Sequence, residues 1–201
     1  MTEHLYITAI TGPDVNNGEG IRLTIWVQGC NHNCPGCHNP QTHHYVDEKE
    51  NLLNKQYIKV INDDNKISDE LKHIIKTELI RHDNKDVHNF LYAGVTFSGG
   101  DPLAQSPTAI KELQKLIEYI ITLRNDINIW LYTGYKYEHL KNIDYLYKFL
   151  LTTGIDVLID GMFIKELKPL HPETLPWRGS SNQRLIDMRA TICADNIILY
   201  K

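Results

Sequence analysis

The chain has 201 residues, of which 42% are hydrophobic and 23% charged, the make-up of one globular domain rather than of a disordered or collagenous chain. A formal net charge of −4 and a pI near 6.2, with no basic stripe, argue against a nucleic-acid partner. No apolar window reaches bilayer-spanning length, and the opening MTEHLYITAITGPDVNNGEG lacks the basic start and apolar stretch of a secretory leader, so a cytoplasmic address is expected, with no membrane contact.

The first clear element is IRLTIWVQ, Ile21 to Gln28, whose β-branched and aromatic residues follow the turn-forming NNGEG and stop at Gly29; this predicts a strand. A loop rich in cysteine follows, then a polar stretch from about 48 to 89 that reads as a surface insertion in an otherwise single domain spanning 1–201. Within it Leu71, Ile74, Ile75 and Leu79 recur at helical spacing behind Ser68, predicting an amphipathic helix over 69–82 with Ser68 as its N-cap.

AGVTFSGG predicts a short strand at Val95–Phe97. SPTAIKELQKLIEYIITLR then opens a helix, with Ser106 as N-cap and Pro107 at the first helical position. Its buried side is Ile110, Leu113, Leu116, Ile117, Ile120 and Ile121. INIWLY (127–132) predicts the next strand, YKYEHLKNIDYLYKFLL contains a helix, and DVLID (156–160) is a further strand. Strands alternating with helices imply parallel strands joined by crossovers, hence an α/β domain. At this length a full eight-stranded barrel of roughly 250 residues does not fit, so an open or partial (β/α) barrel is expected.

Four unusual loops, GCNHNCPGC, SGGDP, TGY and DGMF, each come directly after a predicted strand. In parallel α/β architectures the carboxyl ends of the strands share one face, and ligands bind there. The four loops should therefore converge on one site.

The first of them places Cys30, Cys34 and Cys37 in a C-x3-C-x2-C run, with the fourth cysteine, Cys193, far away in apolar company, where a small buried hydrophobe without a role is the expectation. Three crowded thiols with short spacers suit a metal site better than disulfides. Zinc is open to the site if His32, His38, His43 or His44 completes a Cys3His set. The other candidate is an iron-sulfur cluster: three thiolates on a four-iron cluster leave one iron uncapped, free to take a substrate as its ligand. Gly29, Pro35 and Gly36 allow the chain to wrap tightly around such a group.

Five blocks in order, NGEGIRLTIWVQGCNHNCPGCHN, FSGGDPL, WLYTGY, LIDGMF and LPWRGSSNQR, resemble the radical S-adenosylmethionine enzymes and, more narrowly, the activators of anaerobic ribonucleoside-triphosphate reductase. Gly36 stands where many members of the superfamily carry an aromatic residue before the third cysteine, and the stretch 48–89 is longer than usual in the family.

The resemblance implies a radical S-adenosylmethionine oxidoreductase with a [4Fe-4S] cluster on Cys30, Cys34 and Cys37, its fourth iron chelated by S-adenosylmethionine. One-electron reduction would then give methionine and a 5′-deoxyadenosyl radical, which takes a hydrogen from a glycine of the large reductase subunit. It further implies that Gly99 and Gly100 let main chain approach the methionyl moiety, and that Asp101 binds its ammonium or supports the turn. His38, next to Gly36 and Cys37, would line the adenine pocket. Thr133 and Gly134 end a strand near the cofactor, with Tyr132 or Tyr135 packed on it. Asp160, costly to leave unpaired at the end of an apolar strand, would meet a ribose hydroxyl, the ammonium or the following turn. Arg178 and Arg184 flank GSSNQ without an assigned role. The partners implied are the large reductase subunit and an electron donor such as a flavodoxin-type protein. An activase for another glycyl-radical enzyme, of the pyruvate formate-lyase type, and a zinc-stabilised interaction module without catalysis are the alternatives.

Overall fold

A computed structural model describes residues 3–54, 56–80, 91–171 and 174–201. Its centre is an open sheet of seven strands in the order β3-β1-β2-β4-β5-β6-β7. The strands are β1 (Tyr6–Asp14), β2 (Arg22–Val27), β3 (Ile58–Lys59), β4 (Gly94–Gly99), β5 (Asn128–Thr133), β6 (Val157–Asp160) and β7 (Arg184–Asp187). The middle four, β2, β4, β5 and β6, run parallel, so their carboxyl ends lie along one edge.

The flanks depart from the all-parallel expectation. β1 pairs antiparallel with β2, β3 antiparallel with β1, and β7 antiparallel with β6. Neither β1 nor β7 announces itself: YITAITGPD breaks its alternation with Gly-Pro, and RLID is too short to stand out from the polar run before it. The sheet is therefore mixed, and it does not close.

Period-two alternation divides the sheet into two faces. Leu23, Ile25, Val95, Phe97, Leu131 and Leu158 join the main core, which also takes in the apolar sides of helices α2 (Asp69–Leu79), α3 (Pro107–Leu123) and α5 (Asp144–Thr152). The alternate residues form a different lining. Trp130, Val157, Ile159 and Leu185 make a smaller cluster, with Tyr132, Trp177 and Tyr200 packed against it.

Helix α3 begins as predicted: Pro107 is its first residue and Ser106 Oγ accepts from Ala109 N at 3.1 Å. Ser68 stands at the N-cap position of α2, but its hydroxyl makes no cap bond and is buried without a partner. The predicted continuation of α2 beyond residue 80 falls outside the described residues. The helix expected in 135–151 is two, α4 (Tyr137–Leu140) and α5, joined through a short turn. Between 48 and 80 lie α1 (Glu48–Asn54), β3 and α2, and Val60, Ile61, Leu71, Ile75 and Leu79 are all buried in the main core. The last helix, α6 (Met188–Ala194), buries Met188 and Thr191. Cys193, two positions beyond Thr191, is exposed, against the expectation of a buried hydrophobe. A short helix packed along one side leaves such a position facing solvent.

Candidate functional site

The loops after β2, β4, β5 and β6 meet around a cavity of about 580 Å³, within the roughly 300–1,000 Å³ range of small-molecule sites. Cys30, Cys34, Cys37, Gly99, Asp101 and Thr133 all border it.

Main-chain bonds hold the cysteine loop to its neighbours. Gly29 N donates to Thr42 O at 2.8 Å and Cys30 N to His43 O at 3.0 Å, so the loop is tied back onto the segment that follows it. On the other side Gly100 N donates to Val27 O at 2.7 Å and Asp101 N to Gly29 O at 3.0 Å. The buried amide of Gln105 adds a bond from Nε2 to Gly29 O at 2.9 Å.

Gly99 and Gly100 owe their identity to this junction. Gly99 has φ +104°, and a β-carbon at Gly100 would sit 2.4 Å from Gly29 O. No side chain fits where two backbones pass so closely. Both glycines also border the cavity.

Asp101 is 2% exposed and saturated. Its Oδ2 accepts from Thr133 Oγ1 at 3.0 Å and Gly134 N at 2.8 Å and lies 2.6 Å from His32 Nε2, while Oδ1 accepts from Leu103 N at 2.8 Å. One carboxylate thus joins three loops: the cysteine loop through His32, its own, and the loop after β5. His32 also sets its ring edge-on to Tyr135, with centroids 4.7 Å apart.

The three cysteines are free and half-buried. Burial pushes the Cys30 thiol up to about 12, with a backbone N–H bond from His32 opposing it and the charges of Asp101, Cys34 and Cys37 adding to it. Burial likewise raises Cys34, against a backbone bond from Phe163. Cys37 Sγ accepts from Asn39 N at 3.4 Å. Three partly buried thiolates in this setting need positive charge, which the irons of a cluster would provide while taking up the sulfur donors. A single ion fits less well. Among the described residues no group of three or more His, Cys, Asp or Glu is arranged around one metal position, whereas zinc needs all its ligands within roughly 2.0–2.3 Å. His32 and His44, two of the candidate fourth ligands, are turned toward Asp101 and Glu50. The donor set fits a cluster held by one thiolate per iron.

His38 borders the cavity with its ring 4.9 Å from that of Phe163. Gly134 and Tyr132 border it too. Gly36 and Asp160 do not. Gly36 lies exposed on the outer side of the loop, near Lys165. Asp160 shares the parity of Leu158 and so points to the helix face, where it accepts from Tyr137 N at 2.8 Å and from both Nε (2.9 Å) and Nη2 of Arg184. Arg184 also reaches Glu138 at 2.8–2.9 Å, which holds that carboxyl down at about 2. Arg178 borders the cavity.

Other bordering residues had been given no role. Trp26 and Ser98 alternate with main-core residues on β2 and β4, so strand parity was the signal that could have found them. Asn16 and Asn17 come from the β1–β2 turn, and Trp177 and Gln183 from the LPWRGSSNQR block before β7; the quoted blocks include Asn17, Trp177 and Gln183, but gave none of them a role.

A family model described as a 4Fe-4S single cluster domain matches residues 16–186. Similar relatives named anaerobic ribonucleoside-triphosphate reductase-activating protein include three from different sources. The one from Escherichia coli strain K12 is 34% identical over 176 residues, covering 88% of this chain and 94% of the relative. That of Enterobacteria phage T4 is 33% identical over 172 residues, 86% and 87% of the two chains. That of Haemophilus influenzae is 35% identical over 170 residues, 85% and 90% of the two. No solved structure matches the chain.

Proposed function

The chain belongs to the family of anaerobic ribonucleoside-triphosphate reductase-activating proteins, and from that premise we propose that it activates the large subunit of that reductase by installing a glycyl radical. The reaction balances with one electron: S-adenosylmethionine and a glycine carrying its α-hydrogen become methionine, 5′-deoxyadenosine and a glycyl radical. A [4Fe-4S] cluster, when bound, supplies that electron and an iron with an open coordination position.

The residues of this chain then have separable tasks. Cys30, Cys34 and Cys37 hold three irons. Gly99, Gly100 and Asp101 fix the cysteine loop against the loops after β4 and β5, so that the three sulfurs keep their spacing. His38 and Thr133 border the space left for S-adenosylmethionine. Trp26, Tyr132, Phe163 and Trp177 supply apolar wall that keeps water from a reactive carbon radical. Asp160 and Gly36 act at one remove, through the turn before α4 and the outer contour of the cysteine loop.

On this reading the open sheet, with helices on one face and the cavity on the other, is a partial (β/α) barrel of the radical S-adenosylmethionine type, and the chain is one domain working in the cytoplasm. Its electron comes from a flavodoxin-type donor. The observation that carries the proposal is the meeting of three free thiols and the Gly99–Asp101 loop at one cavity large enough for a small-molecule cofactor.

The test is anaerobic reconstitution with iron and sulfide, then addition of reductant, S-adenosylmethionine and the reductase large subunit. Formation of 5′-deoxyadenosine together with a glycyl signal in electron paramagnetic resonance is the expected result. Protein that binds stoichiometric zinc and no cluster under these conditions would sink the reading.

A further inference from the structure

Three arginines of the described residues are held by the chain's own acceptors. Arg22 donates to Thr96 Oγ1, Val95 O and Asn128, Arg124 chelates Asp126 at 2.6 Å, and Arg184 is held by Asp160 and Glu138. Arg178 differs. It borders the cavity, its Nε is buried without an acceptor, and no carboxylate among the described residues pairs with its guanidinium.

Its position is nevertheless built. Trp177, just before it, holds a left-handed φ of +58° that a non-glycine residue adopts only under constraint. The constraint is visible: Tyr132 Oη donates to Trp177 O at 2.6 Å. Just after it, Gly179 N and Ser180 N both donate to Gln183 Oε1, at 2.7 and 3.2 Å, and Gln183 Nε2 donates to Gly161 O at 2.9 Å. Both neighbours of Arg178 are pinned, and the side chain between them is left with an unused donor.

A buried donor without an acceptor is a cost that a bound acceptor removes. A guanidinium takes a planar anion through two parallel hydrogen bonds, the geometry of a carboxylate. The charge count agrees: among the described residues that border the cavity, Arg178 is the one permanent cation, and the carboxylate of Asp101 is already saturated. One guanidinium matches one monoanion.

We propose that Arg178 is a carboxylate receptor of this cavity. The assignment rests on the cavity being the S-adenosylmethionine site, and two carboxylates can then reach it: the aminoacyl carboxylate of S-adenosylmethionine, or an acidic group on the reductase segment that delivers the glycine. Either fills the unused donor.

The experiment measures anaerobic equilibrium binding to the cluster-reconstituted protein, without reductant, for wild type, Arg178→Gln and Arg178→Lys. The probes are S-adenosylmethionine, decarboxylated S-adenosylmethionine and the reductase large subunit. If the cofactor provides the carboxylate, Arg178→Gln weakens S-adenosylmethionine by roughly tenfold and leaves the decarboxylated analogue unchanged. If the reductase provides it, both small molecules bind as before and affinity for the large subunit falls by roughly tenfold. Arg178→Lys, which keeps the charge without the fork, restores part of the lost affinity and stands in if the Gln variant does not fold. Equal weakening of both small molecules by the Gln variant, or no change with any probe, overturns the receptor. A wild-type protein that cleaves S-adenosylmethionine beside an indifferent Gln variant overturns the receptor alone; one that binds no S-adenosylmethionine overturns the activase reading and the receptor with it.

Discussion

Asp101 shows how one buried side chain can tie three loops together. Its Oδ2 meets the His32 ring, Thr133 Oγ1 and Gly134 N, while Oδ1 takes Leu103 N. Every one of those neighbours except the imidazole is an obligate or ready donor, so only an acceptor on both oxygens satisfies them. Asp101→Asn puts an NH₂ group against donors whichever way the amide turns. A buried donor left unpaired costs about 1–3 kcal/mol. The expected outcome is a lower thermal midpoint and less iron bound per chain after reconstitution, read by calorimetry and metal analysis. Unchanged iron content would show that the three-loop junction does not set the cysteine geometry. Gly100 belongs to the same junction, since its neighbour at 2.4 Å would be the Gly29 carbonyl oxygen.

At the scale of elements, the antiparallel pairing of β7 with β6 sets Arg184 opposite Asp160. The pair is not an isolated salt bridge, because Arg184 also bonds both oxygens of Glu138 in α4. The arginine therefore clamps a strand end to a helix start. Asp160 is fully buried, and its charge is compensated by Arg184 and by the N–H of Tyr137. Glu138 is the exposed arm, with its side chain 58% accessible, so its contribution is about 0.2–1 kcal/mol. Its carboxyl is held down at about 2 from an ordinary 4.5, chiefly by the Arg184 bonds. A depressed folded-state value means that the stability is fully present above pH 4.5 and lost as pH falls toward 2. Glu138→Gln should thus lower the urea midpoint of metal-free protein at pH 7, and the gap to wild type should shrink at about pH 3. A gap that stays constant between the two pH values would contradict the assignment.

Across the whole molecule, the four parallel strands bring loops more than a hundred residues apart to one edge, and helices α2, α3 and α5 pack on the opposite face from the cavity lining. The fold thereby separates stability from chemistry. The main core lies between sheet and helices, whereas the site is built on strand ends and on the other face. The cysteines divide in the same way: Cys34 borders the cavity, and Cys193 is exposed on α6. Cys34→Ser should abolish the visible iron-sulfur absorption and the formation of 5′-deoxyadenosine, with little loss of helical content. Cys193→Ala should keep both signals near wild type. A Cys34→Ser protein with full cofactor cleavage would remove the basis for a three-thiolate site.

Residue types at short range were enough to point to the candidate site. The C-x3-C-x2-C run, the GGD loop and the caps of α3 are local patterns, because thiol spacing, close backbone approach and helix capping are settled within a few residues of one another. The central strands were legible for the same reason: alternation is a property of neighbours. What the tertiary structure alone decided is which side chains find partners. The flanking strands β1 and β7 are antiparallel because of what they pair with, not because of their own composition. Asp160 looked like a candidate for a ligand and is held instead by Arg184, to which the sequence assigned no role, while Arg178, in the same motif, borders the cavity with its Nε lacking an acceptor. Charge pairing over such distances depends on where the chain returns, and that is set by packing of the whole sheet.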